Sequence, residues 1–215
     1  HLFRTKTWKN EPLKRMPHYW DQLRAKNAIR RLEARRALVS DSDFTSGVWR
    51  VTQATRAGSA EEVACIADPF AYVSHLSAMQ RYGLSDRSPR ALHLTTPKRP
   101  RWNALRSERA LRDLPEVQRL ESPILNRPGF RDTIRRRPVV VHVSSHPWTP
   151  SRVSGEETRI TSIGQTFADM LTEPSLCGGM HHVLDVWENE ASQWVQEITA
   201  AIDQLDVKIV KVRAG

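Results

Sequence analysis

The sequence predicts an α+β protein in which a small helix-and-hairpin domain precedes a larger domain of strands and helices. Three strand-like segments are followed by a run of amphipathic helices, an order typical of an α+β domain. A basic helix and a hairpin stand before them. Because 215 residues can form two cores, we assign residues 1–57 to an N-terminal domain and residues 58–215 to a C-terminal mixed α/β domain.

The N-terminal pattern is clearest between Ala25 and Val51. Helical spacing there places four apolar side chains on one face and a polar cluster on the opposite face. The apolar face carries Ala25, Ala28, Ile29 and Leu32. The opposite face carries Asn27, Arg30, Arg31 and Ala34, and its two flanks carry Lys26 and Arg35. The stretch therefore predicts a basic amphipathic helix.

A hairpin is predicted directly after this helix. Leu38-Val39 and Val48–Val51 are typical of two strands, and the polar turn between them contains Gly47. A short helix around Pro17 to Leu23 would precede the basic helix. A basic helix followed by a hairpin is typical of a winged helix-turn-helix, which reads DNA. The alternative is an ordinary amphipathic helix with solvated charges. We prefer the first because Glu33 is nearly the only acid among exposed Arg and Asn side chains.

Candidate DNA contacts follow from the side-chain types. Arg and Asn can form paired hydrogen bonds with base edges, and basic side chains also bind phosphates. We expect the base contacts to come from Asn27, Arg30 and Arg31. We expect the phosphate contacts to come from Lys26, Arg35 and Arg50, with a second backbone contact from Arg99 and Arg101 in the segment Arg99–Arg112.

The positive charge lies in two blocks of the chain. The formal net charge is +9, and residues 1–54 carry 12 basic and 5 acidic side chains. Residues 97–137 also carry 12 basic and 5 acidic side chains, whereas residues 138–215 carry 5 and 10. Basic blocks suit a polyanion, since each neutralised phosphate releases counterions. The acidic part suits a core, an oligomer contact or a basic protein partner.

The C-terminal domain has several helix signals. Capping boxes at Ser59 to Glu62 and at Ser162 to Gln165 predict two helix starts. Asp68-Pro69 predicts a third start, for a helix that ends at Gly83. Helical apolar spacing then continues at Phe167, Met170 and Leu171, at Met180, Val183, Leu184 and Trp187, and at Trp194, Ile198, Ala201, Ile202 and Leu205.

Strands are predicted between these helices. Ala91 to Thr96 alternates, and the β-branched Val139 to Val143 is expected to be a buried strand beside it. Thr158 to Thr161 is a third strand. Pro97 to Arg137 shows no clear period, so we expect either a solvated loop or a basic arm along a nucleic-acid backbone.

We expect neither an enzyme nor a metal or cofactor. The sequence has no glycine-rich phosphate loop. His142 and His146 lie on a strand and its exit, and His181 and His182 point about 100° apart on a helix, so neither pair has a convincing zinc spacing. His75 is expected to be a partly buried polar residue rather than a general base.

The cysteine content and the hydropathy of the chain bear on its cellular location. Cys65 and Cys177 cannot build a disulfide framework and are expected to be reduced core thiols. No apolar run is long enough to span a bilayer, and the first residues do not resemble a signal peptide. We therefore expect a cytoplasmic protein with no membrane partner.

Four passages occur in an order that resembles a known family. They are Gly47-Val-Trp-Arg-Val51, Asp68-Pro-Phe-Ala-Tyr-Val-Ser-His-Leu-Ser-Ala78 with Tyr82-Gly-Leu84, Leu94-Thr-Thr-Pro-Lys-Arg99, and Ile160-Thr-Ser-Ile-Gly-Gln-Thr-Phe-Ala-Asp-Met-Leu171 with Gly178-Gly179. Together they cover most of residues 25–190 and resemble the AbiEi family of bacterial antitoxins, the repressor half of AbiE-type (type IV) toxin–antitoxin systems. The segment Ile163-Gly164-Gln165 departs from the family's more usual Pro-Glu-Arg.

The resemblance implies a function for each domain. The N-terminal winged helix would bind double-stranded operator DNA and repress its own operon. The C-terminal domain would assist DNA binding and counter a nucleotidyltransferase-like toxin. A (pseudo)palindromic operator would be bound by a homodimer or by two cooperating monomers.

Two other classes of function stay open. One is a protein-interaction module whose acidic C-terminal helices neutralise a toxin by direct contact. The other is an RNA-binding defence protein that uses the basic middle segment, where Trp102 and Phe130 could stack on bases.

Overall fold

The protein has mixed α and β structure. The computed structural model describes residues 7–8, 11–12, 22–53, 58–113 and 125–205. The chain forms two compact units, of which unit 1 comprises residues 1–57 and 99–129 and unit 2 comprises residues 58–98 and 130–215. The break after residue 57 is where we expected one. Residues 99–129, which we had placed in the C-terminal domain, belong to the same unit as the basic helix.

Unit 1 contains two helices and two short antiparallel pairs of strands among its described residues. They are β1 (Thr7–Trp8), β2 (Glu11–Pro12), α1 (Gln22–Ala34), β3 (Leu38–Ser40), β4 (Trp49–Val51) and α4 (Arg99–Asp113). β1 pairs with β2, and β3 pairs with β4. The basic helix and the hairpin are thus confirmed. Residues 17–21 of the expected preceding helix lie outside the described residues.

The loop or arm that we expected at residues 97–137 is wrong for residues 99–113, which form helix α4. Residues 114–124 of that segment lie outside the described residues. Trp102 is 1% exposed, and Leu105, Arg106 and Ala110 on the same face are half-buried. The buried positions therefore follow a helical period. A search for apolar residues at that period does not detect it, because the charged Arg106 occupies one of the inner positions. Pro100 lies in the first turn, where its missing N–H has no helical partner to lose.

Unit 2 is built on a six-stranded mixed sheet and a set of helices. Its strands are β5 (Tyr72–Val73), β6 (Leu92–Pro97), β7 (Thr133–Ile134), β8 (Arg137–Ser144), β9 (Ser151–Arg152) and β10 (Arg159–Ile160), in the order β7-β8-β6-β5-β10-β9. Its helices are α2 (Ala60–Ala67), α3 (His75–Arg81), α5 (Ile163–Thr172), α6 (Met180–Glu190) and α7 (Val195–Asp203), with 3-10 turns at Pro174–Cys177 and Ala191–Trp194.

The expected strands at 91–96 and 139–143 do lie side by side. They are β6 and β8, which pair in parallel with Leu94 opposite Val141. Full burial of the second strand was wrong, because Val140 and Val143 are 42% and 52% exposed. β-branched residues favour half-exposed strands as well as buried ones, so a run of valines does not distinguish them. The expected strand at 158–161 is present as β10.

The helix expected from Asp68 to Gly83 is correct only in its second half. Tyr72 and Val73 form β5, which pairs with β6 and β10, and the helix begins at His75. The Asp68 carboxylate instead accepts the Phe70 N–H at 3.0 Å and the Thr96 hydroxyl at 2.8 Å. An Asp side chain that closes a turn has the same sequence signature as one that caps a helix.

The other helix signals are confirmed. Both capping boxes form with reciprocal hydrogen bonds, at Ser59–Glu62 and Ser162–Gln165. Gly83 adopts a left-handed conformation with φ +72° and ends α3. Cys65 and Cys177 are buried free thiols, and burial raises the pKa of the Cys65 thiol. Within the described ranges no helix is both long and apolar enough to cross a membrane.

The main core of unit 2 lies where α5 meets α6 and α7. Phe167 is fully buried and makes an edge-to-face contact with Trp187, at 5.3 Å between ring centroids. At Gly164 a β-carbon would lie 2.0 Å from the carbonyl oxygen of Glu197 and 2.4 Å from its carbon. The close approach of α5 to α7 therefore requires glycine at this position.

Gly164→Ala should destabilise unit 2 by about 1–3 kcal/mol, since the added methyl group overpacks a contact with backbone atoms. Helix propensity alone predicts that the substitution raises the stability of unit 2, because alanine stabilises a helix by about 1 kcal/mol relative to glycine. Urea unfolding followed by circular dichroism measures the change. Glu188→Ala on the exposed face of α6 is the control and should change little; a Gly164→Ala variant as stable as that control would contradict the packing argument.

Candidate functional site

The C-terminal end of α1 positions the hairpin. Arg36 has φ +53°, its N–H donates to the Glu33 carbonyl at 2.8 Å, and the Ala37 N–H donates to the Leu32 carbonyl at 2.9 Å. This pair of bonds is a Schellman motif, which ends a helix and turns the chain back. β3 consequently starts two residues later, at Leu38.

The second strand of the hairpin is tied to the same helix end. The Trp49 indole N–H donates to a Glu33 carboxylate oxygen at 2.7 Å, and the Thr52 hydroxyl donates to the Arg36 carbonyl at 2.7 Å. The Thr52 N–H also donates to the Ala37 carbonyl at 3.1 Å. These bonds fix the hairpin against the last turn of α1 through both side chain and backbone.

The loop between the strands is ordered by its own contacts. The Asp41 N–H donates to the Val48 carbonyl at 2.9 Å, and the Asp41 carboxylate accepts the Asp43 N–H at 3.1 Å. Phe44 is 3% exposed and anchors the loop, while Gly47 supplies a left-handed residue with φ +76°. The loop of the hairpin is therefore held by its own hydrogen bonds and by one buried aromatic side chain, Phe44.

The candidate base-reading side chains of α1 face solvent. Asn27, Arg30 and Arg31 are exposed, whereas Ala25 and Ile29 on the opposite side are half-buried. Fewer residues of this side are buried than its apolar pattern predicted, because Ala28 and Leu32 are also exposed. The structure thus leaves the cationic and amide groups of this helix accessible to a ligand.

The candidate phosphate-binding side chains are exposed as well. Lys26, Arg35, Arg50 and Arg99 have no hydrogen bond or ion pair through their side chains with any other described residue. Arg101 differs, since its guanidinium lies 3.0 Å from the Glu108 carboxylate. All of the predicted contact residues belong to unit 1.

Helix α4 contributes further arginines that the sequence reading had left in a loop. Arg109 and Arg112 both pair with Asp113, at 3.3 Å and 3.0 Å, so the last turn of α4 is partly neutralised. Surface pairs of this kind stabilise little and are readily exchanged. In the first turn of α4, Arg99 has no ion pair with a described residue, whereas Arg101 pairs with Glu108.

Unit 2 holds a second polar cluster, around His75. This residue has φ +52°, a strained conformation for a non-glycine residue, and is 4% exposed. Its Nδ1 lies 2.8 Å from the Ser74 hydroxyl and its Nε2 lies 2.7 Å from a Glu173 carboxylate oxygen. The expected partly buried polar histidine is in fact almost fully buried and bound on both sides of its ring.

Two more histidines adjoin it on the sheet. His93 Nδ1 and His142 Nε2 are 3.0 Å apart with their rings stacked, and the His142 ring centroid lies 4.6 Å from that of His75. Burial and the neighbouring His75 lower the pKa of His142 to about 4, and the same causes lower that of His93. His93 and His142 are therefore neutral at pH 7.

A cavity of about 470 Å³ opens beside these histidines. Asp169 lines it and is 7% exposed; its Oδ1 accepts the Trp148 indole N–H at 2.8 Å, and the backbone N–H of His75 also interacts with this carboxylate. Burial raises the pKa of Asp169 to about 6, against the lowering effects of His75 and Trp148. No motif in the sequence indicated this site, because its residues come from separate elements.

The two histidine pairs that we had considered for metal binding lie at separate places in unit 2. His182 Nε2 lies 2.8 Å from the Ser85 hydroxyl and His181 is exposed. His142 and His146 both line the cavity. In the part of the chain that the structure describes, no three His, Cys, Asp or Glu side chains are grouped so as to hold a metal ion.

Comparison with known proteins identifies no relative. No protein-family model matches the chain, and no curated protein matches it with significant similarity. Its function must therefore be inferred from the residues of the two units.

Arg36→Gly should stabilise the end of α1 by about 0.5–1 kcal/mol, because glycine adopts a positive φ without the steric cost borne by a β-carbon. Hydrogen exchange at the α1 and hairpin amides measures this local stability. Arg36→Ala removes the same charge but keeps the β-carbon, so it should produce no gain. Equal effects of the two substitutions would contradict the conformational explanation.

Asp169→Asn should stabilise unit 2 at pH 8, where the native carboxylate is ionised, by up to about 3 kcal/mol. The folded pKa of Asp169 is raised from 3.8 to about 6, so its stability contribution is fully present below pH 4 and is lost as the pH rises through 6. The difference between variant and native protein should therefore vanish near pH 4. Urea unfolding across this range measures it, with Glu188→Gln as the exposed control; lower stability of Asp169→Asn at pH 8 would contradict the assignment.

Proposed function

We propose that this protein is a sequence-specific DNA-binding repressor and antitoxin of the AbiEi type. The observation that carries the proposal is the outward face of α1, where Asn27, Arg30 and Arg31 are exposed beside a hairpin fixed to the same helix. A free cationic helix next to a projecting hairpin has the elements that a winged helix uses on duplex DNA.

The base contacts are assigned by the hydrogen-bonding groups of the exposed side chains of α1. Arg30 and Arg31 can each donate two hydrogen bonds to guanine, and Asn27 can exchange a pair with adenine. None of the three has a protein partner among the described residues that DNA would have to displace. Base reading by these three side chains therefore breaks no hydrogen bond or ion pair with another described residue.

The phosphate contacts are proposed for the cations that flank α1, on the hairpin and at the start of α4. Their positive charge would neutralise phosphates and release counterions without reading the base sequence. Arg101 would exchange its ion pair with Glu108 for a phosphate, at small cost for an exposed pair. These residues are Lys26, Arg35, Arg50, Arg99 and Arg101.

The antitoxin role is proposed from the resemblance and from charge. Residues 138–215 carry 5 basic and 10 acidic side chains, which suits a basic protein partner better than a second polyanion. The partner would be a nucleotidyltransferase-like toxin encoded beside the repressor. We propose no enzymatic activity, and we propose a cytoplasmic location with operator DNA bound by a homodimer or by two cooperating monomers.

The RNA-binding alternative is weakened by the fold of the middle segment. Trp102, one of its two candidate stacking residues, is 1% exposed and lies on the inner face of α4. Base stacking needs an accessible ring. Residues 99–113 of the segment also form a regular helix instead of an extended arm.

Arg30→Ala and Arg31→Ala should each weaken binding to the preferred duplex by about 1–3 kcal/mol and relax the preference at particular bases. The preferred sequence is first obtained by sequencing duplexes that the protein retains from a random pool. Fluorescence anisotropy then compares that duplex with a scrambled one. Equal losses on both duplexes would refute a base-reading role.

Arg50→Ala should instead weaken binding to both duplexes equally and reduce the salt dependence by about one counterion. Arg152→Ala, an exposed arginine on β9 outside unit 1, is the matched control and should leave binding nearly unchanged. If the protein retains no duplex from the pool at low salt, the DNA-binding proposal fails.

A further inference from the structure

One edge of the six-stranded sheet is open along most of β8. β7 pairs only with the first two residues of that strand, and the next N–H, of Val139, donates to the Asp132 carbonyl at 2.9 Å. From Val140 to Ser144 the strand has β6 on one side. On the other side no described strand pairs with it.

Two observed hydrogen bonds fix the direction of the backbone groups along this edge. The Ser144 carbonyl accepts the Lys98 N–H at 2.8 Å on the side of β6, whereas the Val139 N–H points to the opposite side. Because the backbone groups of alternate residues point to opposite sides of a strand, those of Val141 and Val143 point away from β6. Neither residue forms a backbone hydrogen bond on that side with a described residue. Their N–H and C=O groups are therefore left for a further strand.

The side chains of this edge are apolar and uncharged. Val140 is 42% exposed and Val143 is 52% exposed. Residues 138–146 contain no Lys, Arg, Asp or Glu, although charged side chains are a common protection of an exposed edge. An apolar edge with unpaired backbone groups is completed by an extended segment of another chain. The occupant that fits this edge is therefore a β-strand.

A second copy of β8 fits the open edge of the first. With a two-fold axis at His142, Val141 of each copy faces Val143 of the other in an antiparallel arrangement. Each of these two facing pairs exchanges two hydrogen bonds, which together use all the open groups of both edges. Val140 then faces Ser144, the last residue of β8. The second strand therefore ends before it reaches the covered start of the first.

Charge also favours a second copy at this place. The chain carries a net charge of +9, so two copies repel each other wherever their basic blocks approach. The pairing brings together only residues 140–144, which are uncharged at pH 7 because the pKa of His142 is lowered to about 4. It also places Val141 and Val143 of both copies side by side on one face of the sheet, where β-branched side chains pack well.

We propose that the chain forms a homodimer by antiparallel pairing of the β8 strands of two copies, which joins their sheets into one continuous sheet. The pairing uses unit 2 alone and does not rest on the proposed DNA binding. It goes beyond that proposal because it names the surface through which two copies associate before DNA is present. So short a strand makes a small interface, and we expect a dissociation constant in about the micromolar range.

Sedimentation equilibrium of the full chain without DNA measures this association. The native chain should form dimers at submillimolar concentration. Val143→Lys should raise the dimer dissociation constant at least tenfold, because two lysines would come together on one face of the joined sheet. Val195→Lys on α7 is the matched control, since that valine is 58% exposed, and it should leave the dimer unchanged. Equal losses in the two variants would contradict the pairing, and a native chain that stays monomeric would leave the edge to a different protein and overturn the proposal.

A charge exchange separates loss of the interface from loss of the fold. Val143→Glu should also dissociate the dimer, because two glutamates would repel each other at the same place. An equimolar mixture of Val143→Lys and Val143→Glu chains should form a mixed dimer, since the lysine then lies diagonally opposite the glutamate. Two misfolded chains would not regain association in this way. If both variants keep the native circular dichroism spectrum and their mixture stays monomeric, the proposal is wrong.

Disulfide cross-linking tests the register independently of charge. Val140 of one copy would face Ser144 of the other in a pair without hydrogen bonds, with Cβ atoms about 4.5–5.5 Å apart. A mixture of Val140→Cys and Ser144→Cys chains should therefore cross-link under mild oxidation. Neither variant alone should do so, because identical positions would lie about 13 Å apart along the strand. The native Cys65 and Cys177 are buried and do not compete. No cross-link in the mixture, or equal cross-linking of the single variants, would exclude this register.

Discussion

The left-handed turn at Arg36 is the constraint on which unit 1 depends. It ends α1, reverses the chain within three residues and places β3 immediately beside the last helical turn. Trp49 and Thr52 form hydrogen bonds with the same turn, so the hairpin is tied to the end of the helix. The surface proposed for DNA thus has a fixed spacing between its helical and hairpin cations, set by a short network of bonds around Glu33 and Arg36.

Local signals in the sequence predicted the elements that local chemistry determines. Both capping boxes form, the left-handed Gly83 ends its helix, and the basic helix runs into a hairpin. Errors arose where two structures share one signature. Asp68 closes a turn as readily as it caps a helix. The inner face of α4 was missed because the charged Arg106 occupies a half-buried position where an apolar residue was expected.

The cavity of unit 2 could not be predicted from local sequence patterns, for a geometric reason. His75, His142 and Asp169 come from a short helix, a strand and a second helix, and only the strand order and register bring them to one wall. No period or short motif connects residues so far apart. The strained φ of His75 is likewise a property of the folded chain. Tertiary arrangement, which the sequence pattern does not encode locally, therefore determines where polar groups accumulate.

The division of unit 1 between two stretches of chain affects how the protein is made. Residues 99–129 complete a unit that residues 1–57 begin, while the first strands and helices of unit 2 are synthesised between them. On the ribosome, residues 1–57 cannot complete unit 1 until residues 99–129 have been synthesised. Until that point, the nascent chain consequently exposes a cationic, incompletely packed surface close to ribosomal RNA.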